Sequence, residues 1–379
     1  MDISRTKYKS NRLITCANPK AQFLAHKDEI NNAVNDVLNS STYILGKNVE
    51  LFESEFSDYI GSKYSVGVAN GTDALELALI ALNIGKGDEV ISVSHTAIAT
   101  ISAITSSGAT PVMVDIEDKY YTIDPKKIKI AISKKTKALI VVHLYGQSAN
   151  IEELSEICKH FNIHLIEDVS QAHGAEYRGK KLGTFGEIGC FSCYPTKNLG
   201  AIGDGGIVVT NKKFLFEKIK NMRQYGWKQR NISQYHGRNS RLDEIQAAIL
   251  RVKLKYLDKD NNERIEIAKI YNNSLPEVIV RPSLRKFSKH VYHLYAIKFE
   301  ERNKLLNYLE KKNIYPGIHY PIPIHMQNAY KYIQRIPEKL SVTESTAKTT
   351  LSLPLYPGLS HKDVKRVVDE IKLFVGSMY

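Results

Sequence analysis

The chain has 379 residues, comfortable for two domains and long for one. Apolar residues at 43% and charged residues at 25% fit a soluble globular chain, and no run approaches the ~18 apolar residues of a membrane helix. The net charge of +13 raises nucleic acid as a partner, but the basic residues fall in scattered pairs such as Lys134-Lys135, Lys180-Lys181 and Lys311-Lys312, which argues against nucleic acid and membrane surfaces.

Met1-Asp2-Ile3-Ser4-Arg5-Thr6-Lys7 has no apolar core after its basic residues, so no signal peptide is expected and a cytoplasmic location follows. Leu24 to Leu38 and Val49 to Ile60 carry apolar residues at helical spacing. A strand and helix alternation then begins. Strands are expected at Tyr64–Val68, Glu89–Val93, Pro111–Val114, Ala138–His143, His164–Asp168, Gly189–Ser192 and Ile207–Thr210. Helices are expected between several of them, at Asp73–Leu82, Ala97–Ser106 and Ile151–Phe161. Such alternation predicts an α/β fold with a mostly parallel sheet flanked by helices. After Arg241 come helices at Leu242–Tyr256 and Asn262–Tyr271, then a strand at Val291–Ile297 and a helix at Lys304–Lys311. A helix at Lys362–Phe374, capped by Ser360, closes the chain. The division expected is a large domain over 1–250 and a smaller α+β domain over 251–379.

Four cysteines, Cys16, Cys158, Cys190 and Cys193, do not make a disulfide framework in a chain this long. Cys190 and Cys193 form a C-x-x-C that invites a redox or metal reading. A strand's period of two puts residues three apart on opposite faces, and no second pair with zinc spacing follows, so no metal is expected.

The chemistry is expected around Lys197. A short apolar run ends at Pro195, a lone lysine follows, and glycines crowd the next positions. Dense glycine lets backbone approach a ligand closely. A lysine kept from water loses part of its preference for the charged form, and a neutral amine can attack an aldehyde. By itself the segment reads equally as a glycine-rich loop with a solvated lysine. Upstream, Ile163-His164-Leu165-Ile166-Glu167-Asp168 reads as a buried strand ending in a carboxylate, where open α/β sheets place ligands. A lysine, an acid and an anion cradle are the parts of a pyridoxal phosphate site. Asn70-Gly71-Thr72-Asp73 supplies a candidate cradle, a glycine turn opening a helix whose first N–H groups are free. Read plainly, Thr72 or Asp73 is an N-cap.

Glu167-Asp168-Val169-Ser170-Gln171-Ala172-His173-Gly174, Tyr194-Pro195-Thr196-Lys197-Asn198-Leu199-Gly200 and Gly203-Asp204-Gly205-Gly206, in this order, resemble the nucleotide-sugar aminotransferases of the DegT/DnrJ/StrS type. The resemblance runs from about Asn70 to Pro357. It implies fold type I, the aspartate aminotransferase-like fold with a seven-stranded sheet, and pyridoxal 5'-phosphate as cofactor. It implies Lys197 as the catalytic lysine, Asp168 as the partner of the ring nitrogen, and Gln171 as a donor to the ring oxygen. Gly71, Thr72 and Ser192 would hold the phosphate, and Asn239 would reach the cofactor phosphate of a partner subunit in a homodimer with shared sites. Family members often carry an aromatic at the place of Ala97, and His95 is the substitute expected to stack on the ring. His173 is expected to be a satisfied loop histidine. In the Gly317–Gln327 loop, His319, Tyr320 and His325 are the substrate-side candidates. The activity implied is transfer of an amino group from L-glutamate to a dTDP-linked 3-keto-6-deoxyhexose, giving a 3-amino-3,6-dideoxy sugar for surface glycan or lipopolysaccharide biosynthesis. The alternatives are a C4 aminotransferase on a UDP-, GDP- or dTDP-linked 4-keto-6-deoxy sugar, and a non-catalytic regulator that kept the fold.

Overall fold

The computed structural model describes residues 13–378, so Met1–Lys7 lies outside the described residues. At its centre is a seven-stranded sheet of β1 (Tyr64–Val68), β2 (Glu89–Val93), β3 (Thr110–Val114), β4 (Thr136–Val142), β5 (His164–Asp168), β6 (Ile188–Ser192) and β7 (Gly206–Thr210). Their order in space is β1-β7-β6-β5-β4-β2-β3. Strand β7 runs antiparallel to β1 and β6, and the remaining neighbours pair in parallel. The seven expected strands are all present. The edges moved where a partner extends the ladder: β4 begins at Thr136 because that residue pairs with Glu89.

Alternation along the strands divides the core into two layers. Ile91, Val93, Leu139, Val141 and Phe191 face one layer, and Val90, Ala138, Ile140 and Ile166 face the other. The C-x-x-C pair obeys the same geometry. Cys190 packs in one layer, Cys193 in the other, and both are free thiols. The Gly71–Ala81 helix is buried along most of its length against one face. The Lys47–Ile60 helix covers the other face with Val49, Phe52, Phe56 and Ile60.

The expected Leu24–Leu38 helix is two helices, Pro19–Ala25 and Lys27–Leu38, broken at His26, whose ring stacks on Tyr256 at 3.8 Å. The expected Asn262–Tyr271 helix runs further, over Leu257–Ser274. The Lys213–Met222 and Ser341–Thr349 helices and the Thr350–Leu353 strand went unread in the sequence. The first of these buries only Leu215, Ile219 and Met222 among charged neighbours, a thin stripe.

The C-terminal part has its own core, with Tyr271, Tyr295, Leu305, Leu353, Val367 and Ile371 buried together. The Tyr295–Lys298 strand pairs there antiparallel with Thr350–Leu353. Ile14 is buried in this core, and Ile14–Thr15 pairs with Ile314–Tyr315, so the start of the described chain crosses to the C-terminal part. Ser360 caps the closing His361–Gly376 helix as expected, accepting from the Asp363 N–H at 3.1 Å. No described helix is long and apolar enough to cross a membrane. The parallel strands β2, β4, β5 and β6 present their carboxyl ends at one edge of the sheet, where loops carry the polar residues taken up next.

Candidate active site

Strand β5 delivers two adjacent carboxylates with different jobs. Glu167 is fully buried, yet it accepts from the N–H groups of Gly183 (2.8 Å), Phe185 (2.7 Å) and Gly186 (2.7 Å) and lies 3.1 Å from His143 Nε2. Burial alone would raise its pKa; His143 and the backbone donors outweigh that and hold it below the ordinary carboxylate value. It ties the strand end to the 183–186 turn. Asp168 faces the open edge. Its Oδ2 accepts from Thr100 Oγ1 at 2.8 Å and its Oδ1 from the Ser170 N–H at 3.1 Å. Since Thr100 gives its proton to Asp168, it accepts from Thr96 Oγ1 at 3.1 Å, and the chain Thr96–Thr100–Asp168 fixes the carboxylate. Thr100 was unread in the sequence, although it sits in the first turn of the Ile98–Ser106 helix, at the same sheet edge.

Lys197 follows β6 on a loop that closes on itself, with the Ala201 N–H donating to the Cys193 carbonyl at 2.7 Å and the Lys197 N–H to that of Tyr194 at 2.8 Å. Its side chain is half-buried, and Nζ has no hydrogen-bond partner among the described residues. Protein packed around it strips hydration, and this pushes the amine down to about 8 against the opposing pull of Asp168. An amine without an acceptor, in the field of a buried carboxylate, is available as a nucleophile near neutral pH.

The anion cradle forms where the Gly71–Ala81 helix begins. Asn70, rather than Thr72 or Asp73, is the N-cap: its Oδ1 accepts from the Asp73 N–H at 2.8 Å. The N–H groups of Gly71 and Thr72 find no acceptor among the described residues. Ser192, at the end of β6, lies against Gly71 so closely that a Cβ at 71 would come within 2.6 Å of the Ser192 Cβ. Only glycine leaves the helix start and the serine side by side.

A ring of aromatic and imidazole groups lies above. Tyr145 Oη donates to the His319 carbonyl, so it accepts from His95, which carries its proton on Nε2 at 2.8 Å. Burial, with the Lys298 charge, lowers His95 to about 3, so it is neutral. Gln171 accepts from the Tyr145 N–H at 2.9 Å and donates to Tyr320 Oη at 2.9 Å. His319 shares a hydrogen bond with Ser352 Oγ at 2.9 Å; burial and the Lys197 charge lower it to about 4. His325 is engaged differently. Ser94 Oγ accepts from its N–H at 3.0 Å and meets Nδ1 at 2.7 Å, while Nε2 faces Glu344 at 3.5 Å. Both ring nitrogens therefore anchor the loop. Tyr145 was also unread; its only sequence signal is its place just past β4 at the carboxyl edge. Asn239 is exposed on the segment before the Glu244–Leu254 helix, with no side-chain partner among the described residues.

His173 corrects the sequence reading. It is fully buried, neither ring nitrogen has a hydrogen-bond partner of good geometry among the described residues, the nearest being the Ser192 backbone, and its ring lies 5.4 Å from Phe191. Burial, then the Lys197 charge, lowers it to about 3. A buried imidazole, an oriented carboxylate, and an amine and N–H groups without acceptors among the described residues together suit a phosphorylated pyridine aldehyde.

Comparison with known proteins points the same way. The model of the DegT/DnrJ/EryC1/StrS aminotransferase family matches residues 25–372. The dTDP-3-amino-3,6-dideoxy-alpha-D-galactopyranose transaminase of Aneurinibacillus thermoaerophilus is 46% identical over 352 residues, 93% of this chain and 96% of that one. The crystal structure of S. venezuelae DesV in complex with a ketimine intermediate matches with a TM-score of 0.93 at 40% identity, covering 96% of this chain and 98% of that one. The structure of NtdA from Bacillus subtilis with bound cofactor PMP matches with a TM-score of 0.89 at 30% identity, covering 97% of this chain and 87% of that one.

Proposed function

We propose, from the premise that this chain belongs to the DegT/DnrJ/EryC1/StrS aminotransferase family, that it moves an amino group from L-glutamate to C3 of a dTDP-linked 3-keto-6-deoxyhexose. It is a pyridoxal-phosphate-dependent sugar aminotransferase of the α/β, fold type I class. The observation that carries the reading is the acceptor-free Lys197 amine in the field of Asp168. The 46% identical relative, named for a 3-amino sugar, supports C3.

Bound pyridoxal phosphate supplies an electrophilic carbon and a ring that withdraws electrons. The residues of this chain do the rest. Lys197 Nζ would hold the cofactor and, as a free amine, would move a proton at the reacting carbon. Asp168 holds a proton on the ring nitrogen, with its carboxylate oriented by Thr100. Gly71 and Thr72 N–H groups and Ser192 Oγ bind the phosphate. Gln171 keeps one N–H free for the ring oxygen after donating to Tyr320. His95 is our stacking group in place of an aromatic at 97, since Tyr145 fixes its edge. His319 and Tyr320 face the sugar. Exposed Tyr194 and Ile202, flanking Lys197, support a homodimer in which Asn239 reaches the partner's cofactor. The proposed setting is the cytoplasm.

The test is a choice of substrate. With L-glutamate, the enzyme should aminate a dTDP-3-keto-6-deoxyhexose at least about tenfold faster than the 4-keto isomer, read as 2-oxoglutarate release and product mass. Equal or reversed rates refute the C3 assignment. The cradle has its own test. A Gly71→Ala side chain would strike Ser192, at 2.6 Å from its Cβ and 3.0 Å from its Cα. Overpacking of about 1–3 kcal/mol should weaken pyridoxal phosphate binding roughly ten- to hundredfold in an absorbance titration of the apo-protein.

A further inference from the structure

Lys253 is a buried amine that the chemistry above does not use. It sits near the end of the Glu244–Leu254 helix and is 3% exposed. Burial lowers its pKa to about 8, with Asp260 pulling the other way. An uncharged side chain would be cheaper to bury here. What the amine does is donate: to the Gly200 carbonyl at 2.6 Å and to Gln22 Oε1 at 3.2 Å.

Gln22 extends the hold. It is buried on the Pro19–Ala25 helix, and its Nε2 donates to the Asn198 carbonyl at 3.2 Å and to Asp260 Oδ2 at 3.1 Å. Both gripped carbonyls belong to the loop just after Lys197. That loop returns so tightly that a Cβ on Gly200 would come within 2.5 Å of the Pro195 carbonyl oxygen. Such a return leaves the Asn198 and Gly200 carbonyls outside any helix or strand ladder, and no other group among the described residues satisfies them. The Asn198 side chain is tied as well, donating to Asn261 Oδ1 at 2.7 Å and the Val291 carbonyl at 3.2 Å.

We infer that Lys253 is a positioning residue for Lys197: with Gln22 and Asp260 it fixes, from the far side of the loop, the backbone that carries the reactive amine. The inference rests on the reading of Lys197 given above. Neither Lys253 nor Gln22 touches a reacting atom in this scheme. Their work is to remove the search that a loose loop would impose on the amine.

The test compares Lys253→Met and Lys253→Gln with the wild type. In the apo-protein, hydrogen–deuterium exchange over residues 194–201 should be about tenfold or more faster in Lys253→Met, while exchange in β4 and β5 is unchanged. The rate at which the protein captures pyridoxal phosphate, read by its visible absorbance, should fall roughly tenfold, with the KM for L-glutamate within about threefold. Lys253→Gln keeps an N–H donor and should recover most of both losses. Wild-type exchange and capture in Lys253→Met overturn the inference, and so does a lowered melting temperature without local loosening. If Lys253→Met does not fold, Gln22→Leu removes the hold on the Asn198 carbonyl, together with that side chain's bonds to Lys253 and Asp260, while Lys253 keeps the Gly200 carbonyl, and it is judged by the same two readouts. The exchange measurement needs no cofactor, so its failure is separate from an error about Lys197, which would show as turnover by a Lys197→Ala protein.

Discussion

A Lys197→Ala protein should stay colourless when pyridoxal phosphate is added and should lose glutamate-dependent turnover by about 10⁴-fold or more. Two roles vanish together in that variant, covalent hold on the cofactor and proton transfer at the reacting carbon. Neither is replaced locally: none of the histidines near the amine can form the covalent hold, and burial lowers the pKa of His173, His293 and His319, which makes them weak bases. The fold should not suffer. Nζ makes no hydrogen bond among the described residues, and its burial already costs hydration, so melting should match the wild type. The wild type carries a pH signature of the same amine. Only the neutral form attacks, and the folded pKa of about 8 lies below the ordinary lysine value. Capture of pyridoxal phosphate by the apo-protein should therefore rise ~tenfold per pH unit up to that value and level off above it, whereas a lysine titrating at ~10.4 would keep climbing. Turnover by Lys197→Ala within about tenfold of wild type would refute the assignment.

The legible parts of this molecule were those written in local sequence. Seven strands show as short apolar runs bounded by turn residues. The lysine loop shows because its glycines are needed: Gly200 lies against the Pro195 carbonyl, and Gly203 and Gly205 pack against Gln246 and Leu242. Cys190 and Cys193 could be set aside because a period of two decides their faces. What stayed hidden depends on contacts across long stretches of chain. Thr100 orients Asp168 from 68 residues away, Tyr145 reaches His319 across 174, and Lys253 meets Gln22 across 231. No spacing rule brings such pairs together. His173 was misread for a related reason. A histidine in a glycine-flanked loop reads as exposed and satisfied, yet packing against Phe191 and the Asn261 bond to its carbonyl bury it. His325, read in the sequence as a substrate-side group, has its ring against Ser94 and Glu344, contacts that local sequence does not show.

Asp168→Asn should lower kcat by about 10³-fold, close to 4 kcal/mol of transition-state stabilisation. The substitution keeps shape. Thr100 can still donate to the amide oxygen at 168, and the strand end remains held by Glu167 and its three backbone donors. The charge is gone, along with the bond from the Ser170 N–H that an amide nitrogen cannot accept, and with the charge goes the reason for the ring nitrogen to stay protonated. At an effective dielectric near 20, a unit charge in hydrogen-bond contact would contribute on the order of 5 kcal/mol, the size of the expected loss. Thr100→Val is the control: it removes one hydrogen bond and leaves the carboxylate, so its cost should be nearer tenfold. The same charge acts on Lys197 in the same direction, favouring the protonated amine. Asp168 raises the amine's pKa against desolvation, so the asparagine variant should lower it further. Its apo-protein should then reach full capture of pyridoxal phosphate at a lower pH than the wild type while its turnover collapses. A general loosening of the site would slow capture and turnover alike. Capture that levels off at an unchanged pH, or a kcat within about tenfold of wild type, would show that the 168 carboxylate does not act on the amine and the ring nitrogen as described.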